Sequence, residues 1–244
     1  MHALARNAYT EAWSAIAAEL PSRPRAILSI SAHWYVPKTA VTAMEKPRTI
    51  HDFGGFPREL HEVLYPAPGS PELAAEVADL LRPTADWDTS WGLDHGTWSV
   101  LVHMFPNADI PVVQLSIDET QEAAWHYELA RRLAPLRSRG VLILGSGNIV
   151  HNLHAYSWGK HNTLPYDWAV RFENVVRNSL SSDEAESLIA YEKLGKDALL
   201  SVPTPDHYLP FLYVLAQRQG KEEISFPVEG FDGGSISMLG VQIG

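Results

Sequence analysis

Ala26-Ile27-Leu28-Ser29-Ile30-Ser31, running on into Ala32-His33-Trp34, is the stretch that decides the fold class. A short apolar run just after a proline suits a buried strand, and this one delivers His33 at its C-terminal end. Two further runs have the same form, Ile110-Pro111-Val112-Val113-Gln114-Leu115-Ser116-Ile117 and Gly140-Val141-Leu142-Ile143-Leu144-Gly145-Ser146-Gly147. Helical patterns lie around and between them. Residues 8–20 carry Ala8, Ala12, Ile16 and Leu20 on one face before Pro21 to Pro24 stop the helix, and residues 71–81 and 121–136 are helical as well. Strands alternating with helices predict an α/β fold, a mostly parallel or mixed sheet with helices on both faces. In such sheets ligands gather at the C-terminal ends of the strands, where His33 stands.

After the Gly233-Gly234 turn, Ser235 to Ile243 alternates as one more strand at the edge or core of the sheet. The Pro-, Gly- and aromatic-rich stretch from Ala43 to Ser70 has no periodicity, and a loop of that length in a compact domain is usually functional. There is no repeat, linker or low-complexity tract, so residues 1–244 read as a single domain.

The formal net charge of -10 offers no basic face to phosphate backbones or anionic lipid. The expected partner is therefore a small molecule, with neither nucleic acid nor membrane. The chain has 0 cysteines, which excludes disulfide frameworks, thiolate metal sites, iron–sulfur clusters and cysteine nucleophiles. Any metal must sit on His, Asp or Glu. No apolar run approaches the roughly 20 residues that span a bilayer, and no basic-then-apolar leader opens the chain, so a cytoplasmic protein is expected.

Eleven histidines are an unusual stock. His33 follows the first buried strand, with Trp34-Tyr35 able to wall a cavity. His151 comes just after Gly145-Ser146-Gly147-Asn148, again past a strand. His207 sits between prolines in Pro203-Thr204-Pro205-Asp206-His207-Tyr208-Leu209-Pro210, with Asp206 placed to accept from its ring. In Asp94-His95-Gly96, Asp94 is placed to orient the His95 ring and Gly96 permits close backbone approach. His51, in Ile50-His51-Asp52-Phe53-Gly54-Gly55-Phe56, belongs to the long loop. A lone histidine is more often a surface or core residue than a ligand, and His2, His61, His103, His126, His154 and His161 are read that way. Neutral imidazoles suit Fe(II) and zinc alike. No Gly-x-Ser-x-Gly elbow, phosphate-binding loop or dinucleotide fingerprint is present.

Together Ser31-Ala32-His33-Trp34, His51-Asp52-Phe53-Gly54-Gly55-Phe56-Pro57, Tyr65-Pro66-Ala67-Pro68-Gly69, Asp94-His95-Gly96, Gln114-Leu115-Ser116, Gly145 to Asn152 and Thr204-Pro205-Asp206-His207-Tyr208 resemble, in order, the motifs of the DOPA 4,5-dioxygenase family. That family belongs to the class III extradiol ring-cleaving dioxygenases of the LigB-like superfamily, and the resemblance is to its bacterial branch. It implies a catechol substrate, DOPA-like or caffeate-like, opened with O2 at one non-haem metal, with Fe(II) expected for activity and Zn(II) possible in purified protein. By the same resemblance His33 and His207 bind the metal, His151 joins them or stands beside the metal as acid/base, His95 assists near oxygen and substrate, and His51, Asp52 and Phe53 flank the substrate. A monomer or small homo-oligomer is expected.

In that family a short apolar strand ending in His-Gly-Ser-Pro, whose histidine is a metal ligand, precedes a methionine and the first helix. Met1 stands at that methionine, so the first strand and one ligand are expected to lie outside these 244 residues. Two rival readings use the same histidines: a zinc-dependent hydrolase or other Lewis-acid enzyme, and a catalytically impaired binding protein.

Overall fold

The computed structural model describes residues 2–159, 163–182 and 184–244; Met1 and His161 lie outside the described residues. From the N-terminus, α1 (Ala8–Glu19) leads into β1 (Ala26–Val36) and β2 (Thr39–Thr42). The short α2 (Arg58–His61) and α3 (Pro71–Leu81) precede β3 (Ala85–Asp88), α4 (His95–Met104) precedes β4 (Val112–Asp118), and α5 (Ala123–Arg131) with α6 (Pro135–Ser138) precedes β5 (Val141–Ser146). A helical layer follows, α7 (Asp167–Ser181), α8 (Ala185–Ile189), α9 (Lys196–Ser201) and α10 (Leu209–Leu215), and the chain ends in β6 (Ile224–Val228), β7 (Phe231–Asp232), β8 (Ile236–Ser237) and β9 (Gly240–Ile243).

Five strands form a mixed sheet in the order β3-β2-β4-β1-β5. β4 and β5 both run parallel to β1, while β2 runs antiparallel to β4 and parallel to β3. The pleat of β1 separates two cores, as its period of two requires. Ala26, Leu28 and Ile30 face one with α3, α5, α7 and α10, and Ile27 faces the other with α1 and α4. Both faces are covered, which is why the parallel strands read as continuous apolar runs rather than alternating ones.

Capping fixes where the helices begin. The Asn7 side chain accepts from the backbone of Tyr9 and Thr10 ahead of α1, Ser70 accepts from Leu73 ahead of Pro71, and Asp94 accepts from Thr97 at the start of α4. No helix among the described residues is long and apolar enough to cross a membrane.

The structure corrects the sequence expectations at several points. β1 does not stop at Ser31 but continues to Val36. β2 and β3 add a parallel pair that carried no apolar run to reveal it, since β3 (Ala-Asp-Trp-Asp) lies at the edge and is only half covered. The C-terminal alternation does not join the main sheet: β9 pairs with β6 and β8 with β7 in two small sheets. The helix expected over 121–136 is broken before Pro135, whose ring is accommodated at the first turn of α6. In α1 the inward face is Thr10, Trp13, Ile16 and Ala17, turned from the one expected, and Ala8 is exposed.

On its far side β5 has no paired strand among the described residues. Its open edge borders a cavity of about 410 Å³, walled by β9, by Trp13 and Ile16 of α1 and by Phe211 and Val214 of α10.

Leu115, fully buried in the middle of β4, tests this core. Leu115→Ala is expected to cost about 2–5 kcal/mol in urea unfolding with an unchanged m value; a loss under 1 kcal/mol would mean that Leu115 is not packed into the core it faces.

Candidate metal centre

Four imidazoles from distant parts of the chain form one contiguous row. The His151 and His207 rings stack at 3.5 Å between centroids and 4° between planes, and His207 meets His33 edge-on at 5.2 Å. His33 lies 3.8 Å from His95, whose Nδ1 is 2.9 Å from Oδ2 of Asp52. Asp52 also sits 3.6 Å from Nδ1 of His33, and His33, Asp52 and His95 place their ligand atoms within 4.8 Å of one another. The structure thus brings together His33, His151 and His207, with His95 and Asp52 at one end of the row.

Each ring is placed by a local break in regular structure. Between Ile30 and Tyr35 β1 loses register with β4: five residue steps on β1 lie opposite the two from Leu115 to Ile117. The surplus residues form a bulge holding His33, whose N–H donates to Ser31 Oγ. His95 is the first residue of α4, and its backbone N–H donates to Asp52 Oδ1 while Nδ1–H donates to Oδ2. Gly96 has to be glycine, because a Cβ there would meet Ser31 Oγ and the His33 ring.

His151 lies past the end of β5, its N–H donating to the Ser201 carbonyl and its backbone bridged to Ile236. His207 precedes α10 in a turn where Tyr208 and Leu209 donate to the Pro205 carbonyl. The His207 carbonyl accepts from Asn148 N–H, an approach so close that a Cβ on Gly147 would strike it. The Gly145-Ser146-Gly147-Asn148 turn therefore clasps the segment that bears His207.

Two expected partners are reassigned. Asp94 does not orient the His95 ring; Asp52 does, because the Asp94 carboxylate turns inward to cap α4. Asp206 lies 3.7 Å from Nε2 of His207, an electrostatic neighbour beyond hydrogen-bonding range.

The 43–70 loop supplies an aromatic wall. Phe53 packs 5.3 Å from His95, 4.7 Å from His61 and 5.5 Å from Phe56. His51 lies behind it against Trp98, its Nε2–H donating to the Val63 carbonyl. His61, read from sequence as an ordinary surface histidine, belongs to this wall, and no spacing signal could have placed it there. His2, His103, His126 and His154 stand apart from the row. His2 pairs with Asp232, His103 packs on Trp13, His126 is buried against Tyr213 and the Asp118 carbonyl, and His154 is exposed.

Burial holds the imidazoles neutral. It lowers His151 to about 4, and it lowers His207 well below the usual value, with His151, His33 and His95 adding to the effect. His33 is lowered by burial and by His95, against the opposing pull of Asp94, Asp52 and Asp206. For Asp52, burial pushes upward, but the side-chain and backbone hydrogen bonds from His95 outweigh it and keep the carboxyl below its usual range.

Nδ1 of His207 is buried and has no hydrogen-bond partner among the described residues. A buried nitrogen left bare is costly unless something binds it. Neutral imidazoles side by side, one with an unpaired nitrogen, are a donor set that fits a metal ion.

Residues 4–229 match the family described as the catalytic LigB subunit of aromatic ring-opening dioxygenase. The chain is 50% identical, over all of its length and 91% of the relative's, to a 4,5-DOPA dioxygenase extradiol of Escherichia coli, and 36% identical to one of Beta vulgaris over 88% of this chain and 81% of that one. A crystal structure of an uncharacterized protein from Escherichia coli K12 superposes with a TM-score of 0.86 at 46% identity, covering 99% of this chain and 94% of that one. With the family matched along most of its length and the fold shared with a relative this similar, the chain belongs to the LigB family and is an aromatic ring-opening dioxygenase.

Proposed function

We propose that the substrate is a catechol bearing a side chain, DOPA-like or caffeate-like, that its ring is opened by O2 next to the diol, and that the reaction takes place in the cytoplasm. The observation that carries this reading is the unbroken row His151, His207, His33, His95 ending on Asp52. His33, His151 and His207 would hold the metal, since burial keeps them neutral, the His207 ring touches both of the others, and its Nδ1 has no partner among the described residues. When bound, Fe(II) would supply redox and Lewis-acid chemistry there; zinc has no redox chemistry to offer in its place.

The chain's own groups divide the remaining tasks. Asp52 accepts from Nδ1–H of His95, so the Nε2 lone pair of His95 is directed away from the carboxylate and free to take a hydroxyl proton. The same carboxylate stabilises the imidazolium that results. His151 has no acidic partner within ion-pairing distance among the described residues, and shares acid/base work only as the neutral ring stacked on His207. Phe53 packs against His95 with His51 behind it, an aromatic face on which a flat ring could stack.

Oxygen uptake decides between metals. Iron-loaded protein is expected to consume O2 with DOPA or caffeate, and zinc-loaded, iron-free protein to consume none; equal uptake by both would overturn the redox role. In His95→Gln and Asp52→Asn, kcat is expected to fall about 10²–10⁴-fold, the usual worth of a general base, with metal content unchanged.

An apolar strand ahead of α1 would have a seat along the open edge of β5, in the cavity shared with β9. A chain extended by such a strand ending in His-Gly-Ser-Pro is expected to bind metal more tightly and melt higher than residues 1–244, because it fills an unpaired edge and adds a ligand. Metal titration and thermal midpoints of the two chains check this; equal affinity would mean that these residues already contain the full ligand set.

A further inference from the structure

Asp94 is a carboxylate with no solvent exposure, and no Lys, Arg or His lies within ion-pairing distance of it among the described residues. Burying a charge that way is costly unless something compensates. Its neighbours supply hydrogen bonds only. Oδ1 accepts from Thr97 N–H at 3.1 Å, and Oδ2 accepts from Gln114 Nε2 at 2.8 Å. The Asp94 N–H in turn donates to Gln114 Oε1 at 2.9 Å, closing a reciprocal pair between α4 and the centre of β4. Gln114 is itself fully buried, with its N–H donating to Thr42 Oγ1.

The pair stands directly behind the metal centre. Asp94 precedes His95, and a Cβ placed on Gly96 would touch both the Asp94 Oδ1 atom and the His33 ring, so the carboxylate and that ring share one point of contact. The charge of Asp94 acts on His33 across this gap. A cap for α4 needs no charge, since Asn, Ser or Thr serve as well. A hydrogen-bonding partner for Gln114 needs none either.

Resting on the proposed metal centre, we infer that Asp94 is a charge-compensating residue of that centre: a fixed anion, held rigid by Gln114, whose balancing cation is the bound metal. Its field favours a divalent ion at the row of neutral imidazoles without touching the ion, and the Gln114 pair keeps that charge from being swung toward water.

The hydrogen-bond pattern permits an exchange test. In Asp94→Asn the new amide nitrogen faces Gln114 Nε2, so one hydrogen bond is lost along with the charge. In Asp94→Asn combined with Gln114→Glu, donors and acceptors trade places. The new amide accepts from Thr97 and donates from its nitrogen to the carboxylate introduced on β4. That carboxylate also accepts the backbone N–H of the capping residue, and the anion returns one side chain away. Zn(II) dissociation constants would be measured by competition with a chelator dye, with thermal midpoints of the metal-free proteins alongside.

The single variant is expected to bind Zn(II) about tenfold more weakly and the double variant to return within about threefold of the parent. A purely structural pair would lower the metal-free midpoint in the single variant and leave its affinity unchanged, which would overturn the inference. A double variant with the parent's midpoint but still tenfold weaker binding would overturn it too. If the parent chain itself binds no Zn(II) or Fe(II), the metal centre fails and this inference with it. Metal binding by the parent with equal affinity in the single variant sinks the inference alone.

Discussion

The loss of register between β1 and β4 after Ile30 is the constraint on which the site depends. A parallel pair kept in step would send alternate side chains of 31–34 into the two cores, and His33 would be buried among aliphatic residues with no way to reach the other rings. The bulge ends that alternation at the C-terminal end of β1. Because β4 and β5 run parallel to β1, the segment after β5 emerges at the same edge, bringing the turn that clasps His207 and then His151. Parallel pairing gathers residues more than a hundred positions apart; the bulge makes one of them available.

Burial around the row has two opposite consequences that depend on each other. Desolvation keeps His33, His151 and His207 neutral, which leaves their lone pairs free for a cation and leaves an unpaired nitrogen on His207. The same desolvation would be a liability for Asp52, and there the two hydrogen bonds from His95 decide the sign, holding it ionised. Four rings and one carboxylate thus form a gradient across the row. Burial lowers the imidazoles at the His151–His207 end, while the other end of the row carries the Asp52 carboxylate, held below its usual range by the bonds from His95.

The residues that were legible in the sequence are those whose environment imposes a pattern on neighbours. β1, β4 and β5 are covered on both faces, so each wrote a continuous apolar run, and the helix over 71–81 carried its cap and proline with it. β2 and β3 left no such trace, because each is only four residues long and β3, at the sheet edge, is half covered. The C-terminal alternation correctly indicated strand, but a period of two does not say which sheet a strand joins. Among the site residues, His33, His151 and His207 were marked by their positions at strand ends and in a stiffened turn. The partner of His95 was misassigned to Asp94 because adjacency in sequence says nothing of where a capping carboxylate points. Asp52 reaches His95 across the fold from a loop without periodicity, and His61 joins the aromatic wall by the same unreadable route.

That misassignment also shows how the site is divided between its two acids. Asp52 and Asp94 both act at the start of α4, one partly exposed and hydrogen-bonded to the His95 ring, the other fully buried and bonded to Gln114. Had Asp94 met the imidazole, the start of α4 would have lost its cap and Gln114 its partner in the core of the sheet. Because it turns inward, α4 is capped and pinned to β4 at the residue that precedes His95. Asp52 orients the ring through Oδ2 and, through Oδ1, anchors the His95 backbone N–H as well. The loop and the sheet meet at this point: besides the Gln114 pair, Ile50 N–H donates to the Leu93 carbonyl, Leu93 N–H to the Arg48 carbonyl and Trp98 Nε1–H to the Ile50 carbonyl, so the start of α4 is fixed from both sides.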